Sequence, residues 1–243
     1  MAGALRKFFT NVICGLVYNK DARKKMRVVL NSDMLGYIRF IQKTTGLRLR
    51  KIKTFIGYRA RNLLISVNDK YIFKFPLRRA DSNELAIREK RIVDALAPLS
   101  PIYIPPVTVL KYGDKLVRQY DFIQGAQLRK LSVDFVLKNM DAFVKPVARM
   151  LYEIACADPA EIRDLKPTPD ALPGYLYGWC QGDIADNFLI NPETMEIVAF
   201  IDWEDCAFGD FSDLFSGDKR TPMREFMTAL KQEYDRLYNN GGK

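Results

Sequence analysis

The 243-residue chain contains no histidine. That absence removes Ser-His-Asp and Cys-His arrangements and every histidine metal ligand, so chemistry here must rest on carboxylates, lysines and amides. Cysteine is nearly as scarce. Cys14, Cys156, Cys180 and Cys206 are widely spaced and form no CxxC pair, which reads as reduced thiols of a cytoplasmic protein and excludes a disulfide scaffold or a zinc knuckle. Long hydrophobic runs are missing too. No window approaches the ~18 uninterrupted apolar residues of a membrane-spanning helix. The apolar run 8–18 is broken by Thr10 and Asn11 and lacks a small-residue cleavage pattern, which reads against a signal peptide.

What is present is an ordinary globular composition, 48% hydrophobic and 12% aromatic, with a lopsided charge. Residues 1–125 carry 25 Lys+Arg against 9 Asp+Glu, whereas residues 126–243 carry 13 against 20. A uniform nucleic-acid binder would not divide its charge this way, and no helix-turn-helix, zinc finger or aromatic RNA-binding motif supports that class. No nucleic-acid partner is expected.

Periodicity divides the chain into three parts. Residues 1–45 read as a basic helical extension: an apolar stripe through Phe8, Phe9, Val12, Ile13, Leu16 and Val17, then a helical stretch from about Arg23 to Thr44. These helices either pack on the main body or form a basic amphipathic surface that touches anionic membrane peripherally. Residues 46–124 hold five strands, Ile52–Ile56, Asn62–Val67, Tyr71–Phe75, Val107–Lys111 and Leu116–Phe122, and one helix from Asp81 to about Ala97. Asp81 and Glu84 have capping-box spacing at its start. Residues 125–243 are mainly helical. One helix carries Phe143, Val147, Met150, Leu151 and Ile154; a last helix starts at Thr221-Pro222 and carries Met223, Phe226, Met227, Leu230, Tyr234 and Leu237. Between them lies a hairpin, Asn187–Ile190 and Ile197–Asp202. The expected fold is α+β in two lobes, a five-stranded antiparallel sheet with one helix followed by a mainly helical lobe.

The chemistry concentrates in Gln181-Gly182-Asp183-Ile184-Ala185-Asp186-Asn187 and in Ile201-Asp202-Trp203-Glu204. The hairpin returns Asp202 to the neighbourhood of Asn187. Oxygen-bearing side chains at one end of a hairpin suit magnesium, which prefers carboxylate, carbonyl and phosphate oxygens. Asp183, in a glycine-containing loop, is then free to take a hydroxyl proton. In the sheet part, Lys74 interrupts an otherwise apolar strand, and Glu89 shares a helix face with Leu85, Ile92 and Leu96. A carboxylate on a buried face needs a partner, and Lys74 is the obvious one.

These residues resemble the catalytic and metal loops of the aminoglycoside phosphotransferase and choline kinase family, relatives of the protein kinases. The family pattern is His-Gly-Asp, a nearby Asn, then Ile-Asp-Trp/Phe after a short hairpin; Gly209-Asp210-Phe211-Ser212-Asp213-Leu214 resembles its trailing Gly-Asp and Asp-Leu segment. The resemblance covers roughly residues 50–215. It implies ATP and Mg2+ as cofactors, Asp183 as the catalytic residue, and Asn187 and Asp202 as metal ligands. It also implies a Lys74–Glu89 pair on the ATP phosphates, with Asp121 and Ile123 in the adenine-holding linker. Gly57-Tyr58-Arg59-Ala60-Arg61-Asn62 stands where the family has its nucleotide-covering loop. Two departures are visible. Gln181 stands in place of the family's histidine, and three residues separate Asp183 from Asn187 where four are usual, which leaves Asp186 as an alternative ligand.

The expected function is phosphorylation of a small-molecule hydroxyl, on a sugar or amino alcohol of cell-envelope metabolism. An aminoglycoside-type antibiotic kinase and a nucleotide-binding pseudokinase or interaction protein are the alternatives. Carboxylates such as Glu204, Asp205, Asp210 and Asp218 would favour a cationic acceptor.

Overall fold

A computed structural model describes residues 10, 13–14, 18–57, 60–77, 80–167, 175–215 and 223–241. The chain divides into two compact units, residues 1–86 with 108–122 and residues 87–107 with 123–243. The apolar stripe 8–17, the Tyr58-Arg59 turn, Asp218 and the Thr221-Pro222 cap lie wholly or mostly outside the described residues.

In the first unit, helices α1 (Lys20–Asn31) and α2 (Met34–Thr45) precede strands β1 (Ile52–Ile56), β2 (Asn62–Val67) and β3 (Tyr71–Pro76). Strands β4 (Thr108–Tyr112) and β5 (Lys115–Asp121) complete an antiparallel sheet of order β1-β2-β3-β5-β4. The single helix expected from Arg23 to Thr44 is in fact two. Asp33 stops the first and caps the second, its carboxylate accepting the Gly36 amide at 3.2 Å, and Gly46 ends α2 at φ 66°.

Strand alternation assigns the two faces of this sheet. Leu63, Ile65, Val67, Phe73, Phe75 and Val117 point to one face, where Tyr37 and Ile41 of α2 cover them. Tyr37 stacks on Phe75 with ring centroids 4.1 Å apart. Each such burial stabilises by roughly 1.5–3 kcal/mol. The remaining face carries Lys74 of β3 directly across from Arg118 of β5.

Helix α3 (Ser82–Leu96) contributes its first turn to this unit and the rest to the second. Its start is tied to the β4–β5 turn. The Asn83 side chain accepts from the Leu116 amide at 2.7 Å and donates to the Asp114 carbonyl at 2.8 Å.

The second unit packs helix α5 (Met140–Ala155) against helix α7 (Met223–Asn239). The short α4 (Val133–Lys138) leads into α5. The stripe Phe143, Val147, Met150, Leu151 and Ile154 is buried as the periodicity predicts, and so are Phe226, Met227, Leu230, Tyr234 and Leu237. Two small sheets hold the loops between them. Strand β6 (Ala126–Gln127) pairs with β8 (Phe188–Ile190), which pairs with β9 (Ile197–Phe200). Strands β7 (Tyr177–Cys180) and β10 (Ala207–Asp210) pair antiparallel. Gly178 is required here: a Cβ would lie 2.2 Å from the Ala155 carbonyl oxygen, where β7 crosses the end of α5.

Candidate active site

Strand β7 ends at Cys180 and delivers Gln181, Gly182 and Asp183 to the start of α6 (Ile184–Asn187), a single helical turn that runs directly into β8. Gln181 is 2% exposed and uses both ends of its amide. Its Oε1 accepts the Asp183 backbone N–H at 2.8 Å, and its Nε2 donates to the Asp202 carbonyl at 2.8 Å. One buried side chain therefore joins the two loops that the sequence singles out.

The hairpin completes the arrangement. Phe188 pairs with Phe200 across β8 and β9, their rings stacked at 4.2 Å, and the Ile201 amide donates to the Asn187 carbonyl at 3.0 Å. Strand β9 ends at Phe200, two residues short of the predicted Asp202. Asp202 instead occupies the left-handed region at φ 60°, which Asp tolerates better than most residues, and starts a 3₁₀ turn over Trp203–Asp205. Asn187 is buried and Asp202 exposed. An amide oxygen and a carboxylate at one hairpin end fit a magnesium ion that takes its remaining ligands from phosphate and water. Among the described residues, no group of three or more Cys, Asp or Glu side chains is arranged to hold a metal by itself.

Asp183 is a carboxylate whose pKa the site raises. Burial pushes its pKa above the usual carboxylate range, and the neighbouring Asp186 and Asp202 push the same way while Arg129 opposes them. Asp186 is held from two sides. Arg129 Nε pairs with its carboxylate at 2.5 Å, and Gln127 of β6 donates to its carbonyl at 2.8 Å.

Asp183, Asp186 and Arg129 open onto a cavity of about 810 Å³, lined further by Asp205, Asp210 and Asp213. Five carboxylates against one guanidinium make its wall acidic. The Ser212 amide, 2.7 Å away, holds the Asp210 carboxyl below its ordinary range. Cys180 also borders the cavity, its thiol pushed up to about 12 by burial. All four cysteines are unbridged.

The other expected site residues fall as follows. Lys74 is 4% exposed on β3 in the first unit, and Glu89 is 1% exposed on α3 in the second. Both are engaged in interactions within the fold. Asp121 is the exposed last residue of β5, and Ile123 follows two residues later, half-buried.

Three arginines escaped the sequence reading. Arg118 is 2% exposed beside Lys74. Arg129 lies in a short 3₁₀ turn after β6, where nothing but topology reveals its approach to Asp186. Arg88, next to Glu89, donates to the carbonyls of Glu204 at 3.1 Å and Cys206 at 2.5 Å. It thereby clamps the turn that follows Asp202.

No family model and no curated protein matches the sequence. Solved structures do match. The GDP complex of wild-type aminoglycoside 2'-phosphotransferase-IIIa is 17% identical with a TM-score of 0.66, over 86% of this chain and 85% of that one. The streptomycin–ATP ternary complex of APH(2")-IIa is 17% identical with a TM-score of 0.60, over 87% of each chain. APH(3'')-Id from Streptomyces rimosus is 16% identical with a TM-score of 0.57, over 85% of this chain and 92% of that one. The chain thus shares the protein-kinase-like α+β fold of aminoglycoside phosphotransferases, as its motifs led one to expect. At such identities the likeness establishes the fold alone.

Proposed function

We propose that this protein is an ATP- and magnesium-dependent phosphotransferase that phosphorylates a hydroxyl of a small molecule, a sugar or amino alcohol of cell-envelope metabolism. The observation that carries the reading is the Gln181 bridge, which fixes the Asp183 loop to the Asp202 loop through one buried amide. A turn-forming Asx cluster has no need of such a link, whereas a base and a metal ligand acting on one phosphoryl group do.

In this reading Asp183 accepts the acceptor's hydroxyl proton as the acceptor oxygen bonds to the γ-phosphorus of ATP. The bridging P–O bond breaks, and its electron pair leaves with ADP. Asn187 and Asp202 are the residues that would hold magnesium, which neutralises phosphate charge when bound. Lys74 and Glu89 are assigned to the α- and β-phosphates, and Asp121 and Ile123 to the adenine linker. The upward shift of the Asp183 pKa is in the direction that strengthens a carboxylate as a base.

The acidic cavity wall supports an acceptor that carries amino groups, because carboxylates around a concave site concentrate cations there. The same observation favours a second reading, an aminoglycoside-type kinase. Structures similar to this one include complexes with kanamycin, streptomycin and gentamicin.

Label transfer from γ-labelled ATP to a panel of amino alcohols, amino sugars, neutral sugars and aminoglycosides tests the proposal. The expected result is metal-dependent transfer to an amino-bearing acceptor, abolished by Asp183→Ala. Nucleotide binding with no transfer to any acceptor would leave a pseudokinase.

A further inference from the structure

The net charge of +9 is the charge of one short stretch. Residues 18–53 hold 11 Lys and Arg and only Asp21 and Asp33 against them. Helix α1 lies at the start of this stretch, and its register sorts its side chains. Val29 packs against the sheet core, and Lys25 lies 5.8 Å from the ring centroid of Phe55 on β1, the edge strand. Lys20, Lys24 and Arg27 recur at i, i+4 and i+7 on the side opposite Val29, and all three are exposed.

Among the described residues, no ion pair engages these three cations. The contrast within the same unit is direct: Lys51 and Lys53 on the neighbouring strand both pair with Asp69. Exposed apolar side chains flank α1 in sequence. Tyr18, just before α1, is 98% exposed, and Leu35, just after it, is 72% exposed.

We propose that the outer side of α1 is a docking surface for an anionic lipid bilayer. A helix whose apolar side is committed to its own sheet adsorbs through its cations, each gaining from the negative surface potential of the bilayer. Tyr18 and Leu35 can then enter the headgroup boundary, where amphipathic and apolar side chains are favoured. A nucleic-acid duplex would use the same cations but would set these two side chains against a sugar–phosphate wall, so the lipid is the better fit. Such a surface would hold the protein beside membrane-borne molecules whatever its cavity accepts.

Co-sedimentation of the full chain with vesicles tests this surface. Binding is expected to phosphatidylcholine vesicles containing about one third phosphatidylglycerol and not to phosphatidylcholine alone. It should fall at least tenfold between ~0.05 and ~0.5 M salt. The triple variant K20E/K24E/R27E should lose at least a hundredfold in partitioning, since removing each cation alone costs roughly fivefold. The neutral K20Q/K24Q/R27Q, checked for an unchanged melting curve, guards against misfolding and should lose nearly as much. Y18S/L35S should weaken binding severalfold at either salt concentration. Reversing the exposed Lys130, Lys138 and Lys145 in the other unit should leave it within about threefold. Equal binding to neutral vesicles, no binding to anionic ones, or anionic binding that survives the α1 variants overturns the proposal. So does tighter binding to a short DNA duplex than to the anionic vesicles.

Discussion

Helix α1 and the cavity beside Asp183 carry opposite charge and are built on opposite principles. Along α1 the cations Lys20, Lys24 and Arg27 stand exposed, and among the described residues no ion pair fixes their geometry. Around the cavity the charges are wired. Asp186 is gripped by Arg129 and Gln127, Asp210 by the Ser212 amide, the Asp202 carbonyl by Gln181, and the turn that follows it by Arg88. Solvated charges can attract a partner over a surface, but only fixed ones can act at a chosen atom. In the proposals made above, that difference is what suits α1 to docking and the cavity to chemistry, and substitutions on each side test it.

The largest effect belongs to Asp183. Asp183→Ala should lower phosphoryl transfer by roughly 10²–10⁴-fold, the usual worth of a general base, while the nucleotide-induced melting shift stays close to wild type. Unchanged turnover would remove Asp183 from the chemistry and reduce the cavity to another charged surface.

Next comes the wiring itself. Gln181→Leu leaves the Asp183 N–H and the Asp202 carbonyl without their partner. It should destabilise the protein by about 1–3 kcal/mol, a melting-temperature loss of several degrees, and reduce turnover as well. Arg88→Ala should cost a similar amount by releasing the Glu204 and Cys206 carbonyls, and should raise the magnesium concentration needed for half-maximal activity. A variant as active and stable as wild type at either position would show that the loops hold themselves.

A smaller, directional effect is expected from Arg129→Met. The guanidinium opposes the upward shift of Asp183, so its loss raises that pKa further. Asp183 must be ionised to accept a proton. The acid limb of kcat/KM is therefore expected to lie at higher pH in the variant than in the wild type. The same logic gives a sign for stability. A carboxyl whose folded pKa is raised binds protons more readily when folded, so its contribution weakens as pH rises from the unfolded pKa through the folded one. Asp183→Asn removes that penalty, and its melting temperature near neutral pH should rise slightly. The smallest effect is on the other side of the comparison: the α1 reversals should leave turnover of a soluble acceptor and the melting temperature near wild type, since surface substitutions usually fall within about 0.5 kcal/mol.

The sheet was legible because its strands are short apolar runs bounded by turn residues. Ile52–Ile56 and Asn62–Val67 were readable to the residue. Lys74 and Glu89 stood out for the same reason, as charges in apolar patterns, and both are buried. The candidate catalytic segment stood out as a spacing of Asp, Asn and Asp around a hairpin, and the structure shows that hairpin. Other features have no local signature. The break between α1 and α2 rests on Asp33 capping within an otherwise continuous helical pattern. Strands β7 and β10 are four residues each and interrupted by Gly178 and Gly209, so alternation never accumulates. Arg88 and Arg129 have no signature in the sequence, and only the packing of α3 and the β6–β8 pairing give them partners. Gln181 was legible as a departure from a motif, but its double hydrogen bond needed three dimensions to appear.

The most direct test of the central claim is the melting temperature of the wild-type protein with ATP, GTP and ADP, each with and without magnesium. The melting temperature is expected to rise with ATP by about 5–10 °C at a hundredfold excess over Kd, most of it dependent on magnesium and lost in Asp202→Ala. A folded protein whose melting temperature ignores every nucleotide, with or without the metal, would contradict it.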